Sequence, residues 1–596
     1  MSRAPRERSR FVATVARRGR FLVAEPLFEP GPQVPLRGGK RVSAGQMAVV
    51  EQRRGGAQAV RALGSPKRAA DVIEGLLLDR AVERGFSERV EQEASIAVAD
   101  PPGGGARRRD LTAMPTFTVD PSTARDFDDA VSAEAQGDAL RLWIHIADVA
   151  AHVRPGTPLD REAYSRATST YVPGTAEPML PRALSEGACS LSPGAERLAV
   201  TTEVELTARG EVRSAAFYRS TVRSDARLNY DQLDEIFAGR ARPPEEVTGP
   251  LDLARRAAAA LAERRRIGTL DVESFEPEFG FDSQGNVVRA HSVPQTEAHK
   301  LIEHLMILTN ERVAELLERR KVATLYRVHE QPDPRRIEHL FDQLTALDIP
   351  TPALPDTVSP SEAGALANEA SRLVAAEARR RGHGAEAFGS LVLRSLKQAY
   401  YSDRNLGHAG LGSPAYTHFT SPIRRYPDLV VHRALLATVA QQEQTPDPSE
   451  VREAGPHCSD REREATRIER DSDSVCAAFL LERELLESGW ERDFEGEVSG
   501  LVGGGAFVRF AGELADVYEG FMPARLISRE YFDLDETETA LVGRRTGRTI
   551  RRGDPVAVRV RGIETPRGRV DLAPSAEPDE APGARSRART SGGRRG

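Results

Sequence analysis

Four aspartates, Asp120, Asp126, Asp128 and Asp129, crowd a short stretch of this chain, and Arg125 is the one cation among them. Carboxylates gathered in this way repel one another unless a proton or a cation sits between them. Oxygen ligands with no Cys or His beside them match magnesium or manganese better than zinc. The spacing also restricts the backbone. A helix would put Asp120 and Asp129 on opposite sides, and a strand would send Asp128 and Asp129 to opposite faces. All four can meet only across a turn or loop, and Asp120-Pro121-Ser122 is good turn chemistry. Taken alone, the stretch is either a hard-metal site or a solvated acidic loop, and both readings stay open.

The rest of the chain must position such a site. At 596 residues it is too long for one core and should divide into about three or four domains. A hydrophobic fraction of 39% with 29% charged residues is that of a soluble globular protein. No apolar run approaches the ~20 residues that span a bilayer, so no membrane partner is expected. The arginine-rich start, Met1-Ser2-Arg3-Ala4-Pro5-Arg6, lacks an apolar signal core. Cys189, Cys458 and Cys476 form neither a disulfide framework nor a CxxC metal site, which fits a cytoplasmic location. The net charge of −6 does not announce a nucleic-acid binder, but arginines collect at both ends, including Arg17, Arg18 and Arg20 and, later, Arg585, Arg587 and Arg589. Basic ends around an acidic middle fit a polyanion guided to a metal-filled site; solubilising tails are the competing explanation.

In chain order, residues 1–65 read as short strands separated by Gly and Pro, a small all-β barrel, with Arg17, Arg18 and Arg20 beside Phe21 as a grip for single strands. Residues 66–104 read as a helical segment over 66–98 followed by a linker, Asp100-Pro101-Pro102-Gly103-Gly104-Gly105. Residues 105–485 form an α+β block, whose clearest helix runs from Thr296 to Arg319 with an apolar stripe of Leu301, Leu305, Val313 and Leu316. Residues 490–573 return to strands and glycines as a second five-stranded barrel. There Phe507 and Tyr518 are candidate stacking surfaces, with Arg509 and Arg525 as phosphate partners. Residues 574–596, rich in Pro, Gly, Ser, Ala and Arg, are expected to be a disordered basic tail.

Three further segments carry a resemblance. The first is Ala167-Thr168-Ser169-Thr170-Tyr171-Val172-Pro173-Gly174 with Met179-Leu180-Pro181 and Cys189-Ser190-Leu191. The second is Glu297-Ala298-His299-Lys300-Leu301-Ile302-Glu303 followed by Leu325-Tyr326-Arg327-Val328-His329-Glu330. The third is Tyr416-Thr417-His418-Phe419-Thr420-Ser421-Pro422-Ile423-Arg424-Arg425-Tyr426-Pro427-Asp428-Leu429. With the aspartates, in this order over about residues 105–485, they resemble the ribonuclease II/ribonuclease R family.

The resemblance implies a central α+β RNB catalytic domain flanked by small OB-fold barrels, cold-shock-like at the N-terminal side and S1-type at the C-terminal side. The implied activity is processive 3′→5′ hydrolysis of single-stranded RNA to 5′-nucleoside monophosphates, by a monomer that needs magnesium or, as a substitute, manganese. By the same resemblance Asp120 and Asp129 hold the metal, Asp126 and Asp128 complete the site, and Asp128 is the residue whose loss hurts most. Arg424 matches the catalytic arginine. Tyr171 matches a tyrosine that stacks on the 3′-terminal nucleotides, and Glu303 and Glu469 match acids that position them. Locally, Tyr171 is equally a core tyrosine, and the two glutamates are helix-surface acids. The sequence also departs from the family pattern. Gly268-Thr269-Leu270-Asp271-Val272 carries valine where an aromatic is common, and loss of one base stack costs about 1–3 kcal/mol. The N-terminal part has room for one cold-shock-like barrel rather than two. A non-catalytic RNA-binding protein that keeps the fold, and a nuclease for DNA, are the competing functions.

Overall fold

The apolar positions of Arg10–Arg18, with Val12, Ala13 and Val15 buried, open a closed barrel. The computed structural model describes residues 10–39, 42–53, 56–103, 105–266, 268–270, 275–355, 357–439 and 443–575. Val272, Arg3, Arg6, Arg8 and residues 576–596 lie outside the described residues.

The first barrel comprises strands Arg10–Arg18, Phe21–Pro26, Val34–Gly39, Met47–Arg53 and Gly56–Ala62, in spatial order first, second, third, fifth, fourth. The third and fifth run parallel. The second barrel repeats that order with Asp493–Val502, Gly505–Phe510, Tyr518–Pro523, Pro555–Glu564 and Arg569–Pro574, again with a parallel third–fifth pair. A shared five-stranded Greek-key order identifies both as OB-type barrels. A small sheet of Phe532–Leu534, Ala540–Gly543 and Thr549–Arg551 is inserted between the third and fourth strands of the second barrel.

Between the barrels lies a seven-stranded mixed sheet. Its order is Ala226–Asn229, Phe117–Asp120, Asp129–Gln136, Ala139–Ala147, Glu196–Thr207, Val212–Arg223 and Arg109–Asp110. Helix Thr248–Arg265 packs on this sheet and against helix Glu297–Arg320. The fold is therefore multidomain, an α+β centre flanked by two all-β barrels. The helical segment expected over 66–98 is two helices, Ala69–Asp79 and Glu88–Ala99. Ala81 and Gly85 take positive φ between them, and Ser87 caps the second helix by accepting from the Val90 amide.

Helix Pro448–Ser488 runs along the catalytic body and ties it to the second barrel. Near its end the buried Glu484 carboxylate accepts from the amides of Glu513 and Leu514 and from the Tyr518 hydroxyl. Tyr518 is thus a core residue, 1% exposed, and offers no stacking surface. Arg509, expected to meet phosphate, is ion-paired with Glu386. Phe507 does face outward, at 39% exposed, with its ring centroid 5.2 Å from that of Phe521. The two barrels also meet: Arg567 Nε donates to the Leu27 carbonyl at 2.6 Å. No helix among the described residues is long and apolar enough to cross a membrane.

Candidate active site at the aspartate loop

The central sheet builds the site by interrupting two of its strands. Asp120 is the last residue of Phe117–Asp120 and Asp129 the first of Asp129–Gln136, so the loop between them carries Asp126 and Asp128. Asp128 is buried. Its Oδ1 accepts from the Ile423 amide at 2.8 Å, and its Oδ2 lies 3.6 Å from Arg424 Nε. Asp126 Oδ2 accepts from the Tyr171 hydroxyl at 2.9 Å.

Arg424 and Arg425 are adjacent but do different work. Arg425 donates twice to Asp428, at 2.8 and 2.7 Å, and Asp428 in turn accepts from the Ser421 amide at 2.8 Å. This closed loop is held from below by Asn310, whose side-chain oxygen accepts from the Phe419 amide, and by His432, stacked on Phe419. Arg424 is left at the rim with its side chain 45% exposed, bonded only to Ser421 Oγ at 3.2 Å and facing Asp128. Its carbonyl accepts from the Ser169 amide, which couples the arginine loop to strand Thr170–Val172 and hence to Tyr171.

The electrostatics show what the site could hold. Burial, then the charges of Asp129 and Asp126, push the Asp120 carboxyl up to about 8. Burial pushes Asp129 up to about 7 against the pull of Arg424, and raises Asp128 well above the usual carboxylate range. Asp120 Oδ2 and Asp128 Oδ2 are both buried without a hydrogen-bond partner. Buried acceptors normally find partners, so these two are places a cation would fill. The donor set fits magnesium or manganese: hard oxygens, no sulfur, no imidazole. No group of three or more Asp, Glu, His or Cys among the described residues forms a ready-made cage.

The raised carboxyls give a signed expectation. A group whose folded pKa exceeds its unfolded value stabilises fully below the unfolded value, and that contribution is lost as pH rises through the folded one. In chelator, the stability advantage of wild type over Asp120→Asn should therefore shrink between about pH 4 and pH 8. Thermal midpoints of both proteins across this range check it. An advantage that grows with pH would contradict it.

The other residues expected from sequence are placed as follows. Tyr171 is 40% exposed, held by its hydroxyl on Asp126 and by its amide on Glu469 Oε1 at 3.0 Å. It is therefore not a core tyrosine, and its ring is presented beside the carboxylates. Tyr171→Ala should weaken binding of a short oligoribonucleotide by about 1–3 kcal/mol, whereas Tyr171→Phe, which keeps the ring, should cost far less. Fluorescence anisotropy titrations distinguish the two. Glu469 is raised by burial, and one turn further along the same helix Asp473 is pushed up to about 7 by burial and then by Glu469 and Glu276. Glu303 is exposed on helix Glu297–Arg320; its charged neighbours are Lys300 and Arg265, and no bond ties it to the aspartates.

Three residues have roles at the loop that the sequence does not show, although Ser190 lies in one of the segments that carry the resemblance. Tyr230 stacks on His299 with centroids 3.9 Å apart, and burial, then Asp129 and Asp120, raise its hydroxyl pKa. Ser190 Oγ accepts from the Phe127 amide and donates to the Arg125 carbonyl, inside the aspartate loop. Arg227 reaches the same loop from the neighbouring strand. Asn229 and Gln232 form the capping box that starts the helix carrying Tyr230.

This geometry has relatives. Residues 108–441 match the RNB domain model. The chain belongs to the RNB-domain family. It is 34% identical to ribonuclease R of Escherichia coli over 86% of its own length and 63% of that protein, so it spans less than two thirds of that relative. Against ribonuclease R of Aquifex aeolicus it is 33% identical over 86% of its length and 71% of that protein. The structure is similar to Mycoplasma genitalium RNase R in complex with ribose-methylated single-stranded RNA, with a TM-score of 0.84 at 25% identity, covering 96% of this chain and 90% of that one.

Proposed function

We propose that the chain is a processive hydrolytic 3′→5′ exoribonuclease that degrades single-stranded RNA to 5′-nucleoside monophosphates, acting as a cytoplasmic monomer with magnesium, or manganese in its place. The observation that carries this is the pair of orphaned, buried oxygens of Asp120 and Asp128 set beside the exposed Arg424. The activity of the ribonuclease R relatives and the RNA held by the Mycoplasma genitalium protein support the same reading.

In this reading Asp120, Asp126, Asp128 and Asp129 would hold the cation, which would supply Lewis-acid charge neutralisation at the scissile phosphate. Arg424, already directed at Asp128 yet half exposed, places its guanidinium on the non-bridging phosphate oxygens and shares the charge that builds there. The Tyr171 hydroxyl orients Asp126 while its ring stacks on a terminal base. Glu469 and Glu303 accept from ribose hydroxyls, which separates RNA from DNA. Phe507, exposed on the second barrel, stacks on the incoming strand.

All four aspartates and Arg424 are present, which favours catalysis over a non-catalytic RNA-binding role. The test incubates a 5′-labelled oligoribonucleotide with the protein and magnesium, with and without chelator, beside a DNA oligomer of the same sequence. Chelator-sensitive loss of RNA alone is expected. Full-length RNA surviving in magnesium, or equal cleavage of DNA, would contradict the reading.

A further inference from the structure

The recognised segments explain the carboxylates but not why the loop from Pro121 to Asp128 holds one shape. We propose that Arg227 is the positioning residue that fixes this loop for cation binding, an inference that rests on the metal-site reading above.

Arg227 sits on strand Ala226–Asn229, which pairs in parallel with Phe117–Asp120 and places Arg227 opposite Thr118, two residues before Asp120. Its Nη2 donates to the carbonyls of Ser122 at 2.8 Å, Pro121 at 3.2 Å and Ala124 at 3.3 Å. Its guanidinium carbon lies 5.0 Å from the centroid of the Phe127 ring. The other half of the loop is held separately. Ser190 Oγ binds the Arg125 carbonyl and the Phe127 amide, and the Leu191 amide donates to the Phe127 carbonyl at 3.0 Å. Ser190 therefore fixes the part that leads into Asp128, and Arg227 fixes the part that leaves Asp120. Without Arg227 the Pro121 carbonyl would keep only its turn bond from the Ala124 amide at 3.1 Å, the Ser122 and Ala124 carbonyls would turn to water, and Asp120 would lose its fixed relation to Asp128.

The side chain type follows from this task. All three bonds come from Nη2, so what calls for arginine is the planar guanidinium set against the Phe127 ring while that nitrogen reaches the carbonyls; a lysine ammonium is a point charge on a flexible stem and has no such plane. Arg227 is exposed and touches the core only where its guanidinium lies near the Phe127 ring, so its removal should leave the fold intact. Groups that orient metal ligands typically change metal affinity or activity by 10–100-fold when removed.

The test compares full-length wild type with Arg227→Met, Arg227→Lys and Asp120→Asn. Manganese binding without RNA is followed by electron paramagnetic resonance, with kcat and KM on an oligoribonucleotide and the thermal midpoint in chelator. Arg227→Met is expected to bind manganese about 10–100-fold more weakly and to lose kcat by a similar factor. KM for RNA should stay within about threefold, and the midpoint in chelator should be unchanged. Arg227→Lys should resemble Arg227→Met. Full rescue by lysine would reduce the role to charge and overturn the proposal, as would wild-type manganese binding in both variants. A lowered midpoint in chelator with both substitutions would overturn it too, by assigning Arg227 to the fold. Unchanged manganese binding in Asp120→Asn would instead sink the metal-site reading beneath it.

Discussion

Asp128→Asn is expected to lower turnover by about 1,000-fold or more, about 4 kcal/mol of barrier, while RNA affinity stays within about threefold. The asymmetry follows from where the two oxygens of Asp128 point. Oδ1 accepts from the Ile423 amide, a bond that the asparagine carbonyl can keep, so the loop around Arg424 should stay in place. Oδ2 has no hydrogen-bond partner and faces Arg424 Nε at 3.6 Å. An amide nitrogen there removes a cation ligand and sets a donor against a donor, so the chemistry suffers rather than the fold. Single-turnover cleavage and equilibrium binding measured on the same oligonucleotide separate the two effects. Normal cleavage by this variant would mean that the catalytic centre is elsewhere.

Arg424 and Arg425 should divide activity from stability. Arg424→Ala removes a half-exposed guanidinium whose one hydrogen bond is to Ser421, so the thermal midpoint should barely move. The loss of a charge-sharing donor at the phosphate is expected to reduce kcat by about 100- to 1,000-fold. Arg425→Ala instead strands the Asp428 carboxylate, whose side chain is fully buried and would keep the Ser421 amide but lose its cation. Breaking one half of a buried pair costs about 3–5 kcal/mol of stability. Denaturant unfolding and steady-state kinetics on both variants would show opposite patterns. Equal loss of stability in the two would refute the division.

How much of this was legible follows from what kind of signal each part leaves. The aspartate cluster and helix Glu297–Arg320 are local patterns, a spacing and a periodicity, and both are where the chain says they are. Strand Val34–Gly39 leaves no strand signal in the sequence, because Pro35 and the paired glycines Gly38 and Gly39 are turn residues by type, and only the closing barrel makes them a strand. The break after Asp79 had a signal that periodicity overrode: Gly85 with Ser87 two residues later spells a new helix start. Tyr518 and Phe507 are both aromatic residues in barrel strands, and sequence could not tell the one held by Glu484 from the one left outside. Arg227, Ser190 and Tyr230 belong to the site only because strand pairing and helix packing bring distant residues beside the loop. The family resemblance points to the aspartates and Arg424, whereas the partners that hold them are set by the fold.

The central claim is that this loop, with Arg424, hydrolyses RNA one nucleotide at a time from the 3′ end. The most direct measurement follows a single oligoribonucleotide labelled separately at each end, in magnesium, at early times. With the 3′ label, the first labelled product should be the 5′-nucleoside monophosphate, while the 5′ label should pass from the full-length chain to a short end product with few intermediates between them. Internal fragments of several nucleotides carrying the 3′ label, or monophosphates released first from the 5′ end, would contradict the account.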